Sequence, residues 1–143
     1  MKSYITPIIL FFLFTACSTG QKSASGPDLS ILQGTWQLNY ITGPRIAFEG
    51  LYPNRRPTLS FDVKRKKIAG NTGCNSFSGP LTAEGKKISF AEPMAMTKMA
   101  CPGEGETVFL ETLKKVNGYD VTAGYTLTLL MGEVAMMRFT KVN

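Results

Sequence analysis

Residues 70–79 read GNTGCNSFSG, and this stretch is the most distinctive in the chain. Its three glycines allow a left-handed backbone or the close approach of neighbouring strands, and its two asparagines are suited to hydrogen-bonding the local backbone. The stretch therefore indicates a tight turn, and a loop that contacts a ligand is the alternative interpretation. Both interpretations depend on Gly70, Gly73, Cys74, Asn75 and Gly79.

Period-two alternation of apolar and polar residues surrounds this turn on both sides. Trp36, Leu38 and Tyr40 are expected to share the buried face of one strand, and residues 57–63 alternate in the same way. Such alternation is typical of antiparallel strands with one buried face. Further short strands follow, the last over residues 134–142, and frequent turns between short strands indicate a barrel or a sandwich.

One segment has helical periodicity instead. From Gly105 to Val116 the apolar residues Phe109, Leu110 and Leu113 recur every three or four positions. This spacing places them on one face, so the segment is predicted to be an amphipathic helix. The chain is therefore expected to be mainly β with one helix.

A second distinctive stretch, MAMTKMAC, occupies residues 94–101, just before the predicted helix. Together with GNTGCNSFSG and the opening GTW of residues 34–36, it resembles the META domain, or HslJ-like, family. The resemblance implies a small antiparallel β-barrel, lipocalin-like in outline, in an envelope protein without enzymatic activity and with a part in stress response. It adds four residues to the motif loop: Thr97, Met99, Ala100 and Cys101.

The N-terminal residues predict export and lipid attachment. A short apolar run ends at the small residues Thr15 and Ala16, and Cys17 follows. The run is shorter than the roughly 20 residues that cross a bilayer, so a signal peptide is favoured over a membrane helix. Small residues before a cysteine resemble the lipobox of bacterial lipoproteins, so Cys17 is the expected lipidation site.

The chain is accordingly divided into three parts. We expect a lipoprotein signal peptide over residues 1–16, a lipidated tether over 17–28 and a META-like domain over 29–143. Ser18 follows the cysteine in place of the aspartate that retains enterobacterial lipoproteins in the inner membrane. The expected location is therefore the outer membrane, facing the periplasm.

Only two cysteines, Cys74 and Cys101, remain beyond the lipidation site. Two thiols in an oxidising compartment are a natural disulfide pair. Zinc would need more ligands, and a catalytic thiol would normally need a histidine, of which the chain has none. We therefore predict a structural disulfide, no metal site and no cofactor.

Basic residues exceed acidic ones by 16 to 10, and part of the excess is clustered. The clusters are Lys64–Lys67, Lys86–Lys87 and Lys114–Lys115. Solvated turns and a helix end explain them, and attraction to anionic lipid headgroups or cell-wall polymers is the alternative. Nucleic acid is not an expected partner, because export separates the two and the clusters lack interleaved aromatic residues.

The leading functional hypothesis is a non-enzymatic envelope lipoprotein that binds an apolar ligand or an envelope protein at the mouth of its barrel. A fully packed interior would rule out ligand binding in the barrel and leave a surface-interaction role. A cell-wall hydrolase is one alternative, and it would need two facing carboxylates from the set Glu49, Glu92, Glu104, Glu106 and Glu133. A Cu(I) site is the other, with soft ligands from Met94, Met96, Met99 and Cys101.

Overall fold

The computed structural model describes residues 28–91 and 93–142. The predicted signal peptide, Cys17, the tether up to residue 27 and Glu92 lie outside the described residues. In the part of the chain that is described, no helix is both long and apolar enough to cross a membrane.

Ten strands within these residues form one antiparallel sheet. A 3-10 turn, Leu29–Leu32, precedes the first strand, and a short helix, α1 (Phe48–Leu51), follows it. The longer helix is α2 (Gly105–Lys115). The strands are β1 (Gly34–Ile41), β2 (Thr58–Asp62), β3 (Lys67–Asn71), β4 (Ser76–Pro80), β5 (Thr82–Glu84), β6 (Lys87–Ser89), β7 (Ala95–Met96), β8 (Gly118–Thr122), β9 (Thr126–Met131) and β10 (Val134–Val142).

The order of strands in the sheet explains how it curls into a barrel. The order is β5-β6-β8-β9-β10-β1-β2-β3-β4-β7, so β5 is the terminal strand on one side and β4 lies next to the terminal strand β7 on the other. In the sequence, however, only Leu81 separates β4 from β5. One continuous run of chain therefore belongs to both ends of the sheet and brings them together, which confirms the predicted mainly β, barrel-like fold with one helix.

Side chains from the inner faces of the strands fill the interior of this barrel. One inward row crosses four strands, from Trp36 on β1 through Leu59 and Gly70 to Phe77 on β4. The Trp36 indole is fully buried and donates a hydrogen bond from Nε1 to the carbonyl oxygen of Leu32 at 2.8 Å. The largest fully buried residues are Trp36, Phe61, Phe109, Tyr119 and Phe139. Because these rings occupy the space between the strands, the described residues leave a ligand only the surface of the barrel.

Helix α2 confirms the predicted amphipathic segment almost to its ends. Phe109 and Leu113 are fully buried on the face that packs against the barrel, and the Phe77 and Phe109 rings lie 6.0 Å apart. Lys114 and Lys115 occupy the last turn, where a positive charge is favoured by the helix dipole. The helix thus closes over the sheet with its basic end beside Val116.

The prediction that Tyr40 shares the buried face of Trp36 and Leu38 was wrong. The register between β1 and β10 shifts between Leu38 and Tyr40, so that Asn39 has no opposite residue. A bulge of this kind turns the following side chains to the other face. Tyr40 is 40% exposed and stacks beneath the Arg138 guanidinium at 5.3 Å, while Ile41 takes the buried position.

Candidate functional site

The motif cysteines form a disulfide. Cys74 and Cys101 are bonded, with 5.9 Å between their Cα atoms, and this confirms the predicted bridge. Cys74 lies in the turn between β3 and β4, and Cys101 lies in the segment that leads into α2. The bond therefore ties the first motif stretch to the second.

The turn that carries Cys74 is built by hydrogen bonds within the first motif stretch. The backbone N–H of Thr72 donates to the carbonyl of Asn75 at 2.8 Å, and the N–H of Asn75 donates to Thr72 Oγ1 at 3.0 Å. Gly73 has a φ of +95° and donates its N–H to Asn71 Oδ1 at 2.9 Å. Only glycine adopts such a φ readily, which accounts for its presence in the turn.

The Asn75 side chain is buried, with 1% of its surface exposed, and it makes most of the hydrogen bonds that join the two motif stretches. Its Oδ1 accepts hydrogen bonds from Thr97 Oγ1 and from the N–H of Met99, both at 2.8 Å. Its Nδ2 donates to the carbonyl of Met99 at 3.1 Å and to the Glu106 carboxylate at 3.0 and 3.1 Å. One buried amide thus holds the second motif stretch and the start of α2 against the β3–β4 turn.

Glu106 completes this network in the first turn of α2. Its carboxylate accepts from Thr72 Oγ1 at 2.5 Å and from the Asn75 side chain. A carboxylate at this position is also favoured by the N-terminal end of the helix dipole. Among the described residues, no buried side-chain nitrogen or oxygen lacks a partner. The polar groups of the motif therefore satisfy one another, an arrangement that holds the backbone in place.

Tyr52 and Gly105 also belong to this site, and no sequence pattern marked either as a site residue. The Tyr52 hydroxyl donates to the carbonyl of Gly105 at 3.1 Å, and its ring covers Gly73 and Gly105. A Cβ on Gly105 would lie 2.4 Å from the Leu51 carbonyl oxygen, so the close approach of α1 to α2 requires glycine. Tyr52 lies in an irregular segment after α1, where no periodicity marks it as buried.

Burial raises the pKa of Tyr52 to about 12. In the unfolded chain this hydroxyl ionises near pH 10, so between about pH 10 and 12 the folded state retains a proton that the unfolded state has lost. The contribution of Tyr52 to stability is therefore complete below about pH 10 and is lost as the pH rises towards 12. Urea unfolding midpoints measured across this range are expected to fall more steeply for the unaltered chain than for Tyr52→Phe.

The same variant supplies a second measurement at neutral pH. Loss of the hydrogen bond to Gly105 is expected to cost about 1 kcal/mol. Lysine and other tyrosine titrations are common to both proteins and cancel in the comparison. If the urea midpoint falls equally with pH in the two proteins, buried Tyr52 is not the group responsible for the loss of stability above pH 10.

Four of the predicted motif-loop residues, Gly73, Cys74, Met99 and Cys101, line a small open pocket at the disulfide. This pocket has a volume of about 210 Å³, and Tyr52, Arg55, Met99 and Glu106 are among its lining residues. The Met99 side chain is 59% exposed, and Ala100 is exposed beside it. Gly70 and Gly79 lie away from this pocket in the sheet, Gly70 against Thr58 and Phe77, and Gly79 against Met94.

The carboxylates proposed for a hydrolase lie in separate elements. Glu49 is in α1, Glu133 is in the β9–β10 turn, and Glu104 and Glu106 are at the start of α2. The Glu106 carboxylate already binds Thr72 and Asn75. No particular pair among these four is therefore favoured as an acid and base by its surroundings.

The Cu(I) hypothesis counted the thiolate of Cys101 among its ligands, and the structure shows that this sulfur is already bonded. The sulfurs of Cys74 and Cys101 and a carboxylate oxygen of Glu106 lie within 4.8 Å of one another, which is a spacing that suits a metal ion. The two sulfurs are bonded to each other, however, and a metal would need them as free thiolates. The oxidised protein therefore offers no cysteine ligand here.

A larger groove opens on another part of the barrel. It has a volume of about 560 Å³ and lies between the β2–β3 turn, the corner from β4 to β5, strand β6 and the end of α2. Lys66 and Lys87 are part of its rim, and Glu84 is the one carboxylate among its lining residues. Its apolar lining consists of Leu29, Val63, Leu81, Ala83, Ile88 and Val116. The sequence-based hypothesis placed a ligand at the mouth of the barrel and identified none of these groove residues.

The sequence profile of the META domain matches residues 28–143. The chain belongs to the META domain family. None of the proteins with curated descriptions matches it in sequence. The disulfide, the Asn75 network and the α1–α2 contact described above are therefore features of a META domain.

Solved structures of other proteins share this fold. A protein from Burkholderia xenovorans, determined by NMR, is 20% identical, with a TM-score of 0.60 over 87% of this chain and 97% of its own. A second NMR structure is 24% identical, with a TM-score of 0.55 over 77% of this chain and 90% of its own. A DUF4847 family protein from Bacteroides vulgatus is 16% identical, with a TM-score of 0.51 over 79% of this chain and 96% of its own.

These structures also show that the fold can make up nearly a whole protein. Each consists of this fold over at least 90% of its own length. Among the described residues, every buried core residue lies between Leu32 and Phe139. Residues 28–143 therefore contain the core that the structure describes and are the segment chosen for the folding experiments.

Proposed function

We propose that this META domain protein is a non-enzymatic lipoprotein of the cell envelope that binds an apolar chain with an anionic head in the groove beside α2. It would be anchored through Cys17 to the outer membrane and face the periplasm, where it would support the envelope under stress. The observation that carries the proposal is the groove itself, in which six apolar side chains form the lining and lysines form part of the rim.

The size and lining of the groove fit a single apolar chain. Its volume of about 560 Å³ falls within the range of small-molecule sites, roughly 300 to 1,000 Å³. Leu29, Leu81 and Ala83 are half-buried, so they have apolar surface left for a ligand. Lys66 and Lys87 at the rim would pair with a carboxylate or phosphate at the end of that chain.

The same groove favours binding over catalysis. Hydrolysis of a glycosidic bond by the usual route needs two facing carboxyl groups, whereas Glu84 is the single carboxylate among the lining residues. The chain also lacks histidine, the most frequent general base. A role as a binding protein therefore accounts for these residues more simply.

The experiment is a titration of barrel residues 28–143 with a fluorescent fatty acid. Ala83→Phe would place a ring in the groove, where it displaces part of the ligand's apolar chain. The apolar contact that the ligand loses is worth more than about 1.4 kcal/mol, so saturable binding is expected to weaken about tenfold or more. Ala69→Phe is the matched control, because Ala69 lines a separate depression on the outer face of β1 to β4. Absence of saturable binding, or equal losses in both variants, would refute the proposal.

A further inference from the structure

Three basic clusters that are far apart in the sequence meet around one groove. Lys66 and Lys87 line it directly, and each belongs to a longer basic stretch, Lys64–Lys67 or Lys86–Lys87. The third stretch, Lys114–Lys115, occupies the last turn of α2 immediately before Val116, which also lines the groove. The three stretches together carry eight cationic side chains, and the fold brings Lys66, Lys87 and the basic end of α2 to this groove.

Acidic residues offset only part of this charge. Asp62 pairs with Arg65 at 3.0 Å, and Asp120 pairs with Lys86 at 2.6 Å. Glu84 lies opposite Lys87 in the β5–β6 hairpin, and Glu111 lies on α2 one turn before Lys115. Within residues 28–91 and 93–142, the other six cations form no salt bridge: Lys64, Lys66, Lys67, Lys87, Lys114 and Lys115.

The described chain also begins at this face. Leu29 lines the groove, and Asp28 lies close to the β5–β6 turn. Burial raises the pKa of Tyr119, the Asp28 carboxylate adds a smaller upward shift, and the same hydroxyl donates to the carbonyl of Gly85 in that turn at 2.8 Å. Ile31, in the 3-10 turn that follows, is 40% exposed.

The number of residues before this point limits the distance to the predicted anchor. Cys17 precedes Asp28 by eleven residues, which span at most about 40 Å when fully extended. A membrane that holds Cys17 therefore lies within reach of the face on which the described chain begins. Attraction between lysines and anionic headgroups acts over about a Debye length, so such a tether favours contact by keeping the basic face near the surface.

We propose that this basic face docks on the anionic phospholipid headgroups of the membrane that holds the protein, with the groove open towards the bilayer. The lysine ammonium groups would bind headgroup phosphates, and Ile31 would contact the interfacial region. The inference rests on the proposed anchor at Cys17 and does not depend on ligand binding in the groove.

Co-sedimentation of residues 28–143 with lipid vesicles tests this docking without the anchor. The barrel is expected to bind phosphatidylcholine vesicles that contain phosphatidylglycerol at low salt, and to bind phosphatidylcholine alone much more weakly. The variant Lys66→Glu, Lys87→Glu, Lys114→Glu is expected to lower the partition coefficient about tenfold or more. High salt should remove most of the difference between the variant and the unaltered barrel.

A charge-matched variant distinguishes binding through this face from a general effect of the protein's net charge. Arg45→Glu, Arg55→Glu, Lys98→Glu changes the net charge equally at three exposed positions away from the groove, and it is expected to retain most of the binding. Equal loss in both variants, or no preference for anionic vesicles, would overturn the inference. If the groove variant misfolds by circular dichroism, the corresponding glutamine substitutions replace it and should still weaken binding.

The two proposals fail in different measurements. Ala83→Phe should weaken fatty-acid binding about tenfold or more. It should leave vesicle binding intact, because it changes no charge. Absence of vesicle binding by an unaltered barrel that binds the fatty acid would refute the docking face alone.

Discussion

Gly70→Ala is expected to destabilise the barrel by more than about 3 kcal/mol, the upper end of the usual cost of overpacking. Gly70 lies in the inward row between Leu59 and Phe77. A Cβ at this position would be 2.0 Å from the carbonyl oxygen of Thr58 and 2.9 Å from the Phe77 ring. Because the nearest atom belongs to the backbone of β2, the clash is relieved only if two paired strands separate.

Urea unfolding of residues 28–143, followed by circular dichroism, measures this loss. Gly79→Ala is the matched control within the same motif, because its Cβ would meet the flexible side chain of Met94 at 2.9 Å. The atom met is Met94 Cγ, which a change of χ1 moves, whereas the Met94 Cα lies 3.6 Å away. A cost of about 1 to 2 kcal/mol, clearly smaller than that of Gly70→Ala, is therefore expected. Equal midpoints for Gly70→Ala and the unaltered barrel would show that the strands are not held as described.

Removal of the disulfide is expected to cost about 3 to 4 kcal/mol. Cys74 and Cys101 are 27 residues apart, and on the chain-entropy account a closed loop of this length restricts the unfolded chain by that amount. The double variant Cys74→Ser, Cys101→Ser should therefore unfold at a clearly lower urea concentration than the oxidised barrel. A typical domain has only 5 to 15 kcal/mol of stability, so the loss is a substantial part of the total.

Reduction with a dithiol provides the internal control for this prediction. It should lower the midpoint of the unaltered barrel to near that of the double variant, and it should leave the double variant unchanged. An unaltered barrel whose midpoint does not respond to the dithiol, with loss of the bond verified by mass spectrometry, would contradict the assigned stabilisation.

The parts of the fold that follow from local pattern were predictable. Helix α2 has its apolar residues at helical spacing, and β10 occupies the predicted residues 134–142. The disulfide followed from having only Cys74 and Cys101 in the predicted domain. In each case the signal lies in the residue types of one segment or in a count, so no knowledge of neighbouring elements was needed.

The parts that depend on contacts between distant segments were not predictable. The bulge that exposes Tyr40 arises from the register of β1 against β10, about a hundred residues away. Tyr52 becomes a site residue because α1 approaches Gly105. The groove likewise combines Leu29, the β4–β5 corner and Val116, and no local periodicity relates these three places.

The length of the outermost strands has a consequence for how this protein meets other chains. In the described sheet, β5 and β7 lie at the two ends of the strand order and have only three and two residues. Short terminal strands offer few free N–H and C=O groups, so they are poor templates for an incoming chain. The folded barrel should consequently resist fibril formation at high concentration, and a protein partner would have to recognise it through side chains instead of extending its sheet.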